Sequence, residues 1–326
     1  MRAASRRCAA PWGRTESMDT LIGTYADTPA KPQFKRLAVL GVGLLGGSFA
    51  LAAKHAGLAQ EIVGYSKSPS TIKAARAAKV IDHGADSALH AATDADLILL
   101  AVPVSAIGPL LKQIRIGLSP HALVMDVGST KGDVVAAAQE ALGDMASRQF
   151  VPCHPIAGGE HSGVQHARSA LFDGRRVVIT PMTNNPDRFV EVASQIWEAV
   201  GGVVSIMDAS EHDAAFAAVS HLPHLVAFAY VYAMARQPKG GSYLQLAGPG
   251  FRDFTRIAAS DPTLWRDVFS ANNTEILQQL QLFKQAIAGF EAQMRQGNWS
   301  VLESLIRQAS QSRKDWASPS PADDIA

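Results

Sequence analysis

Cysteine is almost missing from this sequence: 326 residues contain only Cys8 and Cys153. Two thiols exclude a disulfide framework and a four-cysteine zinc site, and they fit a reducing compartment, so a cytoplasmic location is expected. Net charge is missing too. Thirty basic and 29 acidic side chains leave a formal charge of +1, which gives no electrostatic reason to expect nucleic acid or an anionic membrane as partner. No apolar run reads as long as the roughly 18 to 20 residues that a bilayer crossing requires. Residues 1 to 33 lack the continuous apolar core of a secretory signal. They carry Arg2, Arg6, Arg7 and Arg14 among Ser, Thr, Ala and Pro, distantly like an organelle transit peptide but without clear amphipathic periodicity, and read as a disordered tail in which Met18 is a second candidate start. A protein that handles a small molecule is the reading these absences leave.

What is present is enough apolar material, 47% of residues, to fill two cores. From residue 34 the pattern alternates: LAVLGV (37 to 42), a helical stretch 44 to 56, EIVGY (61 to 65), a helical stretch 69 to 79, then LILLAVP (97 to 103). Further strands follow at 122 to 128, 150 to 154, 176 to 181 and 203 to 208, with helices near 131 to 142 and 186 to 200. Continuous apolar strands with helices between them predict a mostly parallel sheet covered on both faces. After Asp208 the strand signals stop, and residues 209 to 314 read as an all-α second domain. Pro223 is expected to free the Val219 carbonyl and kink the first of these helices. Ile276, Leu280, Phe283, Ile287 and Phe290 repeat at spacings of 4, 3, 4 and 3, a packing seam that points to a homodimer. Residues 315 to 326 read as a second disordered tail.

GVGLLGGS places Gly41, Gly43 and Gly46 in G-x-G-x-x-G spacing between a strand and a helix. The first glycine permits the tight turn, the second lets a pyrophosphate approach the backbone, and the third lets helix and strand pack closely. Leu44 and Leu45 within the turn, and Val102 and Pro103 after LILLA, complete the candidate dinucleotide contacts. The acidic residue expected about 20 positions on, for an unphosphorylated ribose, is replaced by Ser66 and Lys67. NADP is therefore expected to be accepted at least as well as NAD.

Ligands of open α/β sheets lie at the carboxyl ends of the strands. DVGSTKG puts Ser129 and Lys131 past one such end, and VPCHPIAGGEHSG puts His154 past another. An alcohol that gives up hydride must also lose its proton, which a histidine titrating near neutrality can accept, with Ser129 positioning the same hydroxyl. Three other readings stand beside this one. His154, Glu160 and His161 offer metal ligands, though their spacing matches no compact zinc pattern. Cys153 and His154, as strand neighbours, point to opposite faces and so make a poor thiol pair. His154 as a structural histidine is the third.

In the helical half, VSHLPHLVAF sets His221 and His224 three apart around Pro223, as a pair of buried structural histidines or as ligand contacts. GPGFRDFTRIAASDPTLW offers Arg252, Asp253, Arg256 and Trp265, with Asp261 and Pro262 as N-cap and first helical residue. Asp253 can orient Arg256, and an arginine so held suits a substrate carboxylate.

GVGLLGGS, DVGSTK, HPIAGGEHSG, SHLPH and GFRDFTRIAASDPTLW together resemble the prephenate dehydrogenase family, which includes arogenate and cyclohexadienyl dehydrogenases. The resemblance spans about residues 34 to 312. It implies a nicotinamide-dependent oxidative decarboxylation, an N-terminal Rossmann domain, a helical dimerisation domain and a substrate cleft between them. Residue by residue it implies His154 as the catalytic histidine assisted by Ser129, Arg256 on a substrate carboxylate, His224 on the substrate, and His221, Glu160, Asp253 and Trp265 lining or supporting the pocket. Gly159 departs from the family's side-chain-bearing residue at that point. The family's ribose-binding acid is also absent.

Overall fold

The computed structural model describes residues 33–159 and 161–316. The two terminal tails expected from sequence, apart from residues 33, 315 and 316, and Glu160 lie outside the described residues. The first half runs β1 (Phe34–Leu40), α1 (Leu44–Ala56), β2 (Ala59–Tyr65), α2 (Pro69–Ala77), β3 (His83–Gly84), α3 (Ala88–Ala92), β4 (Leu97–Leu100), α4 (Val104–Ile114), β5 (Leu123–Asp126), α5 (Gly132–Leu142), α6 (Asp144–Gln149) and β6 (Phe150–Val151). These strands form one all-parallel sheet in the order β3-β2-β1-β4-β5-β6. The order reverses direction between β1 and β4, the switch point at which open α/β sheets bind ligands beyond the carboxyl ends of the strands.

Continuous apolar strands arise because both faces are covered. Leu37 and Val39 of β1 enter one core while Ala38 and Leu40 enter the other, and β4 divides in the same way. Phe49, Phe172 and Trp197 meet edge to face in the first core, with Phe49 and Trp197 centroids 5.0 Å apart. Each such buried aromatic contributes about 1.5–3 kcal/mol through area removed from water.

One predicted strand is in fact two. Residues 150 to 154 divide at Pro152, which has no N–H to continue a ladder. Phe150 and Val151 extend the parallel sheet, while Cys153–Pro155 forms β7 of a second sheet with β8 (Arg176–Ile179) and β9 (Val203–Ile206). β7 runs antiparallel to β8, and β8 parallel to β9, with α7 (Asp187–Ala199) between them in sequence. His154 therefore belongs to this smaller sheet, which corrects the single-sheet expectation.

From Ala209 the chain is helical: α8 (Ala209–Phe216), a π-helical turn (Ala217–His221), α9 (Leu222–Ala235), α10 (Gly240–Gln245), α11 (Pro249–Thr255), α12 (Pro262–Ala271), α13 (Asn273–Gln296) and α14 (Trp299–Asp315). Pro223 follows a wide π-turn, so the irregularity takes the form of a widened turn running straight into α9. Asp261 caps α12 as expected, its side chain accepting from the Leu264 N–H at 2.8 Å.

The run Ala209–Ala235 corrects a second expectation. It is 27 residues long and contains an 18-residue window of mean hydropathy 1.5, enough by length and composition to cross a membrane. In the fold His212, Asp213 and His221 are buried against protein partners. Along α13 the seam begins at buried Ile276 and opens outward, so that Ile287 is 52% exposed.

Candidate active site

The glycine turn lies at the β1/β4 switch point. Gly41 has φ +103°, and a Cβ there would stand 2.2 Å from the Ala101 carbonyl oxygen. A Cβ on Gly46 would stand 2.1 Å from the Gly41 carbonyl oxygen, while one on Gly43 would meet nothing within 4 Å. The turn is thus tight where the protein packs on itself and open where a phosphate would approach. Gly43 is also the N-cap of α1, whose first turn holds no acidic residue and no side-chain cap. Its N–H groups and helix dipole suit an anion. Leu44 and Leu45 are half-buried at the head of the same helix, and Val102 and Pro103 follow β4. Ser66 and Lys67 follow β2; the Ser66 hydroxyl accepts from the Ser68 N–H at 3.2 Å, and Lys67 is exposed.

The loop after β7 lies along this turn. A Cβ on Gly159 would approach Leu44 Cδ2 to 3.4 Å, and the Arg168 N–H donates to the Ser48 hydroxyl at 3.0 Å. Loop and helix therefore lie side by side at the switch point.

His154 is 8% exposed, and its Nδ1 lies 2.8 Å from His212 Nε2. His212 Nδ1 in turn lies 2.8 Å from Asp213 Oδ1. Asp213 also accepts the backbone N–H groups of Lys131 and Gly132, both at 2.8 Å, across the junction of the two halves. Behind them Lys131 is fully buried and donates to Asp126 at 2.5 Å and to the Cys153 carbonyl at 2.8 Å. Asp126 accepts from the Cys153 N–H at 2.9 Å, which ties β5 to β7. Ser129 is half-buried just beyond β5.

Burial holds the His154 imidazole well below its usual pKa, with His212, Lys131 and His221 adding in the same direction. His212 is lowered chiefly by burial as well. Burial works to raise Asp213, but hydrogen bonds from His212, Gly132 and Lys131 outweigh it and leave the carboxyl below its ordinary value. Burial pushes the Cys153 thiol up to about 12, and Cys153 packs in the apolar core, so the thiol reading fails. No cluster of three metal-ligating side chains occurs among the described residues.

His221 is buried with its pKa lowered to about 4, mainly by burial. Its Nδ1 faces the Asn272 amide nitrogen at 3.1 Å, and its Nε2 has no hydrogen-bond partner among the described residues. His224 Nδ1–H donates to the Ser220 carbonyl at 2.9 Å, and its ring stacks on Trp265 at 3.6 Å. Burial lowers His224, and the nearby Arg256 charge adds to that. Arg256 is exposed at the end of α11, and Asp253 is exposed on the same helix.

Sequence reasoning missed His212, Asp213 and Asn272. EHDAAF matches no recognised motif, and His212 stands 58 residues from His154. The available signal was a His-Asp pair opening the first helix after the last strand.

Comparison with known proteins decides the family. The profile described as prephenate dehydrogenase, nucleotide-binding domain, matches residues 49–206, and the one described as prephenate dehydrogenase, dimerization domain, matches residues 208–308. The chain belongs to the prephenate dehydrogenase family. That membership makes it an oxidoreductase with an NAD(P) cofactor. The cyclohexadienyl dehydrogenase of Zymomonas mobilis is 33% identical over 252 residues, 77% of this chain and 85% of that protein. A crystal structure of the Aquifex aeolicus prephenate dehydrogenase, in complex with hydroxyphenyl propionate and NAD+, superposes with TM-score 0.81 at 33% identity, covering 87% of this chain and 98% of that one. Synechocystis arogenate dehydrogenase gives TM-score 0.73 at 27% identity, over 86% and 100% of the two chains.

Proposed function

We propose that this member of the family oxidises and decarboxylates prephenate to 4-hydroxyphenylpyruvate, with His154 as the base. The observation that carries the reading is a neutral, buried imidazole with one nitrogen engaged by His212, in a loop packed along the glycine turn. The glycine turn and the head of α1 would hold the pyrophosphate of the dinucleotide, whose nicotinamide would supply the hydride acceptor. His154 Nε2 takes the hydroxyl proton as C4 loses hydride, and returns it to the phenolic oxygen after CO2 has left. Aromatisation drives the step, so the protein mainly aligns C4 and holds two carboxylates. Arg256 takes one of them, beside His224 and Trp265, while Ser129 positions the hydroxyl. The dinucleotide contacts are Gly41, Gly43, Leu44, Leu45, Gly46, Val102 and Pro103, with Ser66 and Lys67 beside the ribose. Residues 34–208 form the nucleotide domain and 209–314 the substrate domain.

We infer a homodimer, supported by the dimerization-domain match and by exposed Tyr232, Leu246, Leu282, Met294 and Trp299 on the helical half. Cysteine usage supports a cytoplasmic location.

Steady-state assay of prephenate and arogenate, each with NAD and NADP, tests substrate and cofactor together. Prephenate turnover with NADP at least matching NAD is expected; a kcat/KM favouring NAD by more than about tenfold overturns the cofactor reading. The two known relatives that act on cyclohexadienyl substrates and arogenate make arogenate the second candidate substrate. His154→Asn should lower kcat strongly at nearly unchanged substrate KM, and Arg256→Gln should chiefly raise KM.

A further inference from the structure

We infer that His212 and Asp213 are positioning residues that hold His154 as its Nδ1–H tautomer, leaving an unprotonated Nε2 for the substrate hydroxyl. The inference rests on His154 being the base.

Hydrogen-bond accounting from one end of the chain leads to this assignment. Asp213 is met by two backbone N–H groups, Lys131 on Oδ1 and Gly132 on Oδ2, which can only donate. Such a carboxyl is an ionised acceptor, so His212 Nδ1, 2.8 Å from Oδ1, must carry a hydrogen. A neutral imidazole carries one N–H, which leaves His212 Nε2 as an acceptor. The atom facing it at 2.8 Å is His154 Nδ1, which must then donate. His154, also neutral, has its lone pair on Nε2. Reversing His212 would set lone pair against lone pair at Asp213 and N–H against N–H between the rings, and reversing His154 would set lone pair against lone pair between the rings. Phe216 fixes both ring planes, with centroids 4.8 Å from His154 and 4.4 Å from His212.

The charged and titratable groups acting on His154 are His212, Lys131 and His221, with Asp126 bonded to Lys131 and Asp213 beyond His212. When His154 accepts the substrate proton, the resulting imidazolium lies two hydrogen bonds from the Asp213 carboxylate, which stabilises it. His212 and Asp213 belong to α8, whereas His154, Lys131 and Gly132 belong to the nucleotide-binding half. The base is therefore set up only while the two halves are docked.

The test uses the full-length enzyme with nitrogen-15 histidine, comparing wild type, His212→Phe, His212→Gln and His154→Asn by steady-state kinetics, thermal melting and long-range proton–nitrogen spectra. Phenylalanine keeps the ring and removes the acceptor, whereas glutamine restores a carbonyl oxygen near the place of Nε2. The expected result is a His154 Nδ1–H signature in wild type. In His212→Phe, kcat should fall about tenfold or more with both KM values within about twofold, and His212→Gln should recover most of the loss. An Nε2–H signature at His154 in wild type overturns the inference, as does His212→Phe turnover within about twofold of wild type, or a loss that glutamine does not recover. If His212→Phe does not fold, the wild-type spectrum decides alone. Full turnover in His154→Asn would instead remove the base reading, whatever the spectrum.

Discussion

A methyl group added at Gly43 would meet open space, whereas one added at Gly46 would meet the Gly41 carbonyl at 2.1 Å. The two alanine variants should therefore fail in different ways. Gly46→Ala should lose about 1–3 kcal/mol of stability through overpacking. Gly43→Ala should melt like wild type while its KM for the dinucleotide rises about tenfold or more, since the methyl occupies the space the pyrophosphate needs. Thermal melts paired with cofactor titrations separate the two, and a destabilised Gly43→Ala would contradict the open-cradle account. The glycine turn was legible in the sequence because its spacing encodes contacts between near neighbours. So was the Asp261 cap, which spans three residues. The His154–His212–Asp213 chain was not, because its link crosses 58 residues and two domains, and nothing local marks which of ten histidines will meet.

Among the elements, β5, β7 and the start of α5 are joined by one buried pair. Lys131 and Asp126 both have fully buried side chains, and each also bonds Cys153 backbone atoms. Lys131→Met would strand the Asp126 charge in the interior and should cost about 3 kcal/mol, the lower end of the range for breaking a buried pair, because the Cys153 and Gly128 N–H groups still serve that carboxylate. Urea unfolding measures it, and a loss near zero would mean that Asp126 takes up a proton instead. The alternation of strands and helices was readable from hydrophobic period, since each strand is buried on both faces. The division at Pro152 was not anticipated, because a run of apolar residues carries no mark of which sheet each half will join. The widened turn before Pro223 was equally hidden: the proline announces an irregularity, but packing selects its form, and here it leaves His221 buried.

For the whole molecule, three buried histidines tie stability to pH. His154, His212 and His221 are all lowered in the fold from 6.5, His221 to about 4. Below pH 6.5 the unfolded chain binds protons that the folded chain refuses, so this contribution is complete above that value and is lost as pH falls toward 4. Asp133, raised by burial, opposes the trend with a single group. Melting temperature should decline between pH 7 and pH 5, and a flat profile would mean that these rings are not buried in solution. By the same lowering, kcat should hold its plateau through pH 6.5 and fall only in more acidic buffer, where His154 becomes protonated. Light scattering at micromolar concentration should report a dimer. The clasp between the two halves has one further property. Asp213 grips main-chain amides at positions 131 and 132, and every amino acid except proline supplies such an amide. At position 131 the docking contact is therefore independent of the side chain, which is left for another duty and turns inward to Asp126, whereas at position 132 a Cβ would stand 3.0 Å from the gripping Asp213 oxygen and favours glycine.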